Sequence, residues 1–157
     1  MSLVSRILQA PDLDSLLKFE NKKLLETIPS EEERLFASWN SRWRKEALEH
    51  YLNLGWSFIA HDSDLKSEAS PEGQLVGYFL AQPLVFFEAQ TQSLWVEHLS
   101  YSTLTARDEL CSLAYKLSRE KHFQRVFFPN NSSVMNSIAS LKPEIWSPSV
   151  TMVKTTK

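Results

Sequence analysis

The stretch from residue 93 to residue 131 constrains the fold of this chain most strongly, because three predicted elements follow one another in it. Its opening segment, SLWVEHLSY, is rich in β-forming residues and predicts a strand. A helix follows, whose apolar face is carried by residues at helical spacing: Leu110, Leu113, Ala114 and Leu117. Residues 125–128 then form a short aromatic and β-branched run that predicts a second strand. We therefore expect a right-handed strand–helix–strand crossover, and the turn into such a helix is a common ligand site.

Before this unit, the sequence predicts one short strand and two helices. Residues 4–8 form the strand, and the Ala-Pro-Asp run at 10–12 ends it and caps a leucine-rich helix. A capping box at Ser30 and Glu33 begins the second helix. We expect this to be the longest helix of the chain, because its apolar stripe continues over residues 35–51.

A hairpin is predicted between these helices and the central unit. Residues 56–60 and 75–82 alternate as its two strands, joined by a polar connection, and Pro83 is expected to end the second strand. In the loop or frayed edge that follows, Phe86 and Phe87 require either a core or a protein partner to cover them.

A short helix over residues 133–141 and one or two strands over residues 144–153 close the chain. The predicted order is β-α-α-β-β-β-α-β-α-β. It indicates an α+β protein, an α/β sandwich in which helices flank a mixed, mostly antiparallel sheet. At 157 residues, the chain fits a single domain, residues 1–157, that can bury a core of its own.

The composition excludes several classes of function. The net charge of −2 gives no basic surface for nucleic acid or for an anionic membrane, and no apolar run is long enough to span one. Without an N-terminal signal region, the cytoplasm is the expected compartment. The single cysteine, Cys111, suits a reducing environment and a packing role. The four histidines are not spaced as ligand pairs with carboxylates, so no metal site is expected.

The element order resembles that of the GCN5-related N-acetyltransferase (GNAT) superfamily. The segments GQLVGYFLAQ and LWVEHLSY are similar to its third and fourth strands, and the following helix and strand are similar to its central crossover. Asn131 resembles the asparagine that leads the family's last helix. The resemblance implies transfer of an acetyl group from acetyl-CoA to an amine, carried by a small molecule or a peptide. The cofactor arm would lie between the fourth and fifth strands, and an assembly of two copies is left open.

The loop that would hold the cofactor's pyrophosphate departs from the family pattern Arg/Gln-x-x-Gly-x-Gly/Ala. Ser102 stands at the arginine, while Thr105 and Arg107 stand at the glycines that let backbone amides approach phosphates. Thr105 is predicted to cap the following helix, so Asp108 and Glu109 are expected in the first helical turn, where they would compete with phosphate. The cofactor contacts that the resemblance implies are Leu99, Ser102, Thr103, Thr105, Arg107 and Asn131. If this loop no longer functions, no cofactor binds.

The resemblance also assigns the chemistry. Glu97 is implied as the base that takes the amine proton, and Tyr101 as an acid for the leaving thiolate. Alternation along the strand predicts that Tyr101 shares a face with Glu97 and that His98 points to the opposite face. Ile138 occupies the position where the family commonly has its tyrosine. A solvated or salt-bridged Glu97 is the simpler alternative.

Three interpretations therefore stand at the level of sequence. The first is an acyl-CoA-dependent N-acyltransferase. The second is a GNAT-like fold that no longer catalyses and serves as a binding or regulatory module, which the altered loop favours. The third is an unrelated α+β domain, in which the strands at residues 94–101 and 125–128 would not splay apart.

Overall fold

The computed structural model describes residues 1–85 and 92–156. Its α-helices are α1 (Leu13–Thr27), α2 (Glu31–Trp39), α3 (Lys45–Leu52), α4 (Leu104–Glu120) and α5 (Ser132–Ile138). Its strands are β1 (Leu3–Ile7), β2 (Phe58–Asp62), β3 (Gln74–Val85), β4 (Gln92–Tyr101), β5 (Arg125–Pro129), β6 (Glu144–Ser147) and β7 (Val150–Lys154). Short 3₁₀ turns precede α1 and follow β2 and α5.

The strands of the described residues form one sheet in the order β1-β2-β3-β4-β5-β7-β6. β4 and β5, which α4 connects, are parallel, and every other neighbouring pair is antiparallel. The predicted mixed, mostly antiparallel sheet and its crossover are thus confirmed. The predicted hairpin is also present as β2 and β3.

Each face of the sheet carries its own apolar core, because alternate side chains of a strand point to opposite faces. On one side, α4 and α5 cover a cluster that includes Leu94, Val96 and Phe128. On the other, α1 and α3 cover a smaller cluster that includes Tyr78 and Leu80. The site described below lies where β4 borders both layers.

The predicted second helix is wrong in its length, because residues 40–44 interrupt it between α2 and α3. The side chains of Ser38, Asn40 and Ser41 donate to backbone carbonyls three or four residues earlier. Such bonds compete with continued helix formation. α2 buries none of its residues, whereas Trp43 in the interruption is buried in the smaller core.

Pro83 does not end β3, which continues to Val85 and pairs Pro83 with Leu94. The proline is tolerated because β2 pairs with β3 only as far as Phe79, so in the described chain no residue of β2 flanks β3 at Pro83. Phe86 and Phe87, predicted to need a cover, lie outside the described residues. None of the helices described has the length and apolar character that crossing a membrane requires.

Candidate active site

The two parallel strands of the crossover diverge after a short paired segment. β4 and β5 pair only through Ser93–Arg125, Leu94–Val126 and Trp95–Phe127. Beyond these pairs β4 continues to Tyr101 against β3, while β5 continues against β7. Within the described residues, the later part of β4 therefore has no strand on its β5 side, and its backbone groups there face a cleft. The splay that an unrelated α+β domain would lack is present.

A β-bulge in β4 changes which side chains face this cleft. Ala81 of β3 pairs with Val96 and Leu80 pairs with His98, so Glu97 is the extra residue between them. The predicted alternation at this point is therefore wrong. Glu97 and His98 both reach residues that precede or belong to the helices of the smaller core, whereas Tyr101 packs against the larger core on the opposite side.

Glu97 contacts the connection between α2 and α3. Its carboxylate lies 3.7 Å from Nη1 of Arg42, and the same nitrogen donates to the Glu97 carbonyl at 3.5 Å. The Arg42 side chain is half exposed, so this ion pair contributes little to stability. Its effect on the site is to place one positive and one negative side chain together at the bulge.

His98 contacts a buried carboxylate. Its Nε2 lies 3.2 Å from Oε1 of Glu20, a residue of α1 that is only 5% exposed. The hydroxyl of Tyr78 donates to the same oxygen at 2.7 Å. Lys23, one turn along α1, donates to the hydroxyl of Ser100 at 2.8 Å. A buried carboxylate is thus held by hydrogen bonds directly beside a cleft-lining imidazole.

Two pKa shifts follow from this arrangement. Burial alone would raise the pKa of Glu20, but hydrogen bonds from His98, Ser100 and Tyr78 outweigh burial and lower it. Burial and the neighbouring Glu20 raise the pKa of Tyr78 well above its ordinary value, so its hydroxyl stays protonated and donates. Glu20 is therefore a carboxylate at neutral pH, able only to accept hydrogen bonds.

The cleft at the splay has a volume of about 480 Å³, within the range of small-molecule sites. Of the residues predicted for the site, Glu97, Leu99 and Asn131 line it. The remaining lining residues are Arg42, Trp95, Val96, His98, Pro129, Asn130, Pro148, Ser149 and Val150. Asn131 caps α5, its Oδ1 accepting from the amide of Val134 at 3.0 Å.

Tyr101 is absent from that lining. Its hydroxyl donates to Oγ of Ser133, in the first turn of α5, at 2.6 Å. The phenol thus comes from β4 but ends at α5, the helix on which Ile138 is fully buried and offers no acid. The structure therefore separates Tyr101 from Glu97, which the sequence places on one face.

The loop between β4 and α4 differs from its predicted form in two ways. Thr103, rather than Thr105, caps α4, since its hydroxyl accepts from the Ala106 amide at 3.1 Å. The helix therefore begins earlier, and no acidic residue lies in its first turn. Asp108 instead pairs with Arg107 at 2.7 Å. The expected competition between these acidic side chains and a phosphate is thus removed.

Two of the predicted phosphate contacts are bonded within the protein. The amide of Ser102 donates to the carbonyl of Val76 at 2.8 Å. Arg107 is only 9% exposed, and besides Asp108 its guanidinium contacts the carbonyl and hydroxyl of Ser133 at 3.0 Å. Thr105 is exposed beside them. Arg107 therefore ties α4 to α5 in this structure rather than pointing freely to a ligand.

Cys111 lies in the larger core, where burial raises the pKa of its thiol to about 11. A thiol with that pKa is a weak nucleophile at neutral pH. The packing role predicted for Cys111 is consistent with its position.

No protein-family model matches the chain, and no curated protein matches its sequence. Many solved structures share its fold. It superposes on an acetyltransferase of the GNAT family from Listeria monocytogenes over 97% of this chain and 94% of the other, at 12% identity and a TM-score of 0.61. This is the GNAT fold.

Two further GNAT-fold structures are similar over nearly their full lengths. The PaiA N-acetyltransferase from Thermoplasma acidophilum, solved with coenzyme A, is 19% identical over 98% of this chain and 99% of the other, with a TM-score of 0.61. Arylalkylamine N-acetyltransferase 2 from Aedes aegypti is 10% identical over 98% of this chain and 97% of the other, with a TM-score of 0.62. At these identities the likeness establishes the fold alone.

Sequence reasoning missed three residues of the site: Glu20, Arg42 and Tyr78. Each comes from an element distant in sequence from β4, and nothing in the local pattern links them. Strand alternation places His98 on the wrong face, because a bulge leaves no mark in the alternation of apolar residues. The only available signal was the polar pair Glu97–His98 inside an otherwise apolar strand.

Proposed function

We propose that this protein is an acyl-CoA-dependent N-acyltransferase that transfers an acetyl group to an amine. The observation that carries the proposal is the splay of β4 from β5, with a bulge at Glu97 that directs polar side chains to the opening. A continuous parallel pair would leave no room for a cofactor between the strands. Solved GNAT-fold neighbours that contain coenzyme A support the proposal by analogy.

The residues around the splay suit the two ends of an acyl-CoA. Backbone groups of residues 96–99 that point away from β3, towards the side where β5 has diverged, are proposed donors and acceptors for the amides of the pantetheine arm. At the start of α4, the amides of Ala106 and Arg107 bond to Thr103, which leaves those of Leu104 and Thr105 facing outwards at a positive helix end. With no acidic residue in this turn, we propose that Ser102, Thr103 and Thr105 line the pyrophosphate position.

The acceptor amine meets the thioester at the bulge in this proposal. When bound, acyl-CoA supplies the thioester carbon that the amine attacks. Glu97 lines the cleft and attracts a positively charged amine. Its pairing with Arg42 fixes the position of the Glu97 carboxylate. Tyr101 and Asn131 border the α5 side, and we retain Tyr101 as the proposed proton donor to the leaving sulfur.

Isothermal titration with acetyl-CoA, and with free CoA for comparison, tests the proposal. We expect binding in the micromolar range, and loss of at least 90% of the affinity in Ser149→Trp, which places a large side chain at the cleft. Ala69→Trp, in the exposed β2–β3 connection, is the matched control and should bind normally. No binding by the wild type at millimolar cofactor would contradict the enzyme and favour the non-catalytic binding module.

A further inference from the structure

We infer that His98, positioned by the buried Glu20, is the proton acceptor for the amine, and that Glu97 binds the substrate's charge instead. This inference rests on the proposed function. It replaces the assignment of Glu97 as the base, which the sequence alone suggested. Three independent features of the structure lead to it: the accessibility of His98, the bonding of Glu20, and the pairing of Glu97.

His98 is the imidazole that lines the cleft, with a side chain 20% exposed, and the bulge turns it towards the α1 layer. Among the described contacts, one of its two ring nitrogens is hydrogen-bonded to the protein and the other is not. In His98 the bonded nitrogen is Nε2, 3.2 Å from Oε1 of Glu20.

The bonding of Glu20 fixes the tautomer of that ring. The same oxygen accepts from the hydroxyl of Tyr78, and because its hydrogen bonds lower the pKa of Glu20, this side chain is an ionised carboxylate with no proton to give. The Nε2 atom must therefore carry a hydrogen and donate it, which leaves Nδ1 as the lone-pair nitrogen of the neutral ring. Glu20 and Tyr78 are positioning residues that hold the imidazole ready to accept.

Charged or titratable groups from α1, the loop before α3, β3 and β4 contact His98 or its neighbours on β4. They are Glu20 and Lys23 on α1, Arg42 before α3, Tyr78 on β3 and Glu97 on β4. Lys23 reaches Ser100, whose hydroxyl is also a partner of Glu20. Arg42 is paired with Glu97, so among the described contacts no cation touches His98 itself.

The proposed reaction requires one base, His98, to accept a proton from the substrate. The ammonium group of the substrate gives one proton to Nδ1 of His98, and the freed nitrogen lone pair forms a bond to the acyl carbon. As the carbon–sulfur bond breaks, its electron pair leaves with sulfur, which takes a proton from Tyr101, and Tyr101 recovers the second proton that nitrogen gives up. His98 then returns its proton to solvent, and the products are an amide and a free thiol.

The decisive variants are His98→Ala and Glu97→Gln, which change adjacent residues of one bulge. We expect His98→Ala to lower kcat by roughly 100-fold or more with unchanged affinity for acetyl-CoA, and added imidazole to restore part of the rate. Glu97→Gln should raise KM for the amine more than it lowers kcat. Glu20→Gln should move the acid limb of the pH profile of kcat/KM, an effect that a purely structural role would not produce.

A measurement without turnover completes the test. Correlation of the ring nitrogens with the ring protons of His98 by NMR should show Nε2 protonated in the neutral ring of the wild type. A hydrogen on Nδ1 would overturn the inference, as would full turnover in His98→Ala with loss in Glu97→Gln. If the wild type binds no acetyl-CoA, the proposed function fails and this role of His98 fails with it. Binding and turnover that survive His98→Ala overturn the inference alone.

Discussion

His122 and Lys142 hold left-handed backbone conformations, with φ of 59° and 53°, at two helix ends. A side chain with a β-carbon pays roughly 1–2 kcal/mol for this conformation, and glycine does not. We expect His122→Gly to raise the free energy of unfolding by roughly 0.5–1 kcal/mol, after allowing for the greater freedom of glycine in the unfolded chain.

Chemical denaturation of His122→Gly against Lys121→Gly measures this effect. Lys121 precedes it with an ordinary φ of −89°, so glycine there brings only the entropic cost and should destabilise. Equal destabilisation by both substitutions would show that the backbone at residue 122 is not left-handed.

Thr103 and Thr105 differ in what they do for α4, although both are threonines of one loop. Thr103→Ala removes the hydroxyl that accepts from the Ala106 amide, and should cost about 1 kcal/mol of unfolding free energy. Thr105→Ala, at an exposed position without such a bond, should change it by less than about 0.5 kcal/mol. Thermal unfolding of the two variants tests where the helix begins. A larger loss of stability in Thr105→Ala would show that α4 begins two residues later.

At the scale of elements, Glu20 links α1 to the middle of the sheet and makes that link dependent on pH. The pKa of Glu20 is lowered on folding, so its stabilisation is fully present above about pH 4.5 and is lost as the pH falls further. At pH 7 Glu20→Gln should be less stable than the wild type by about 1–3 kcal/mol, since it disturbs a buried hydrogen-bonded carboxylate.

The difference in the free energy of unfolding between the wild type and Glu20→Gln should narrow as the pH falls below 4.5. Protonation of Glu20 in the wild type then removes the same charge that the substitution removes. Unfolding by denaturant at several pH values measures it. Glu26→Gln, on the exposed side of the same helix, is the control and should follow the wild type throughout. A constant difference across the pH range would show that the Glu20 charge is not coupled to folding.

The sequence predicts well those elements that are determined by residues close together in the chain. The period of the apolar residues in α4 and the turn residues around β2 and β3 suffice to place them, and both are present. The break between α2 and α3 was missed, because side-chain bonds to backbone carbonyls outweigh a continuous apolar stripe there. The bulge was missed because it is defined by pairing with β3, which alternation within β4 does not reveal.

For the whole molecule, the order of elements predicted the GNAT fold, and the structure and its neighbours agree. The sequence predicts cleft-lining residues on β4 and, with Asn131, at the start of α5. Glu97 and Leu99 line the cleft as expected, whereas Arg107 and Tyr101 are bonded to Ser133 on α5. Ser133 lies more than 20 residues further along the sequence than either of them, so no pattern within the loop could reveal these contacts.

This arrangement predicts how Arg107 acts. Because it joins α4 to α5 by two bonds to Ser133, Arg107→Met should lower the free energy of unfolding by roughly 1–3 kcal/mol. It should change acetyl-CoA affinity by less than about threefold, which titration of the folded variant measures. A tenfold or greater loss of acetyl-CoA affinity with an unchanged free energy of unfolding would show instead that Arg107 contacts the phosphates of the cofactor.

Amide-resolved NMR during titration with acetyl-CoA tests the central claim, that the cofactor binds in the splay between β4 and β5. We predict that the largest shifts fall on the amides of residues 96–99, which border the cleft, and on Leu104 and Thr105 at the start of α4. Residues of β1 and β2, away from the splay, should shift little. Saturable shifts at those two places would establish the site, whereas no shift at millimolar cofactor, or shifts confined to other surfaces, would contradict it.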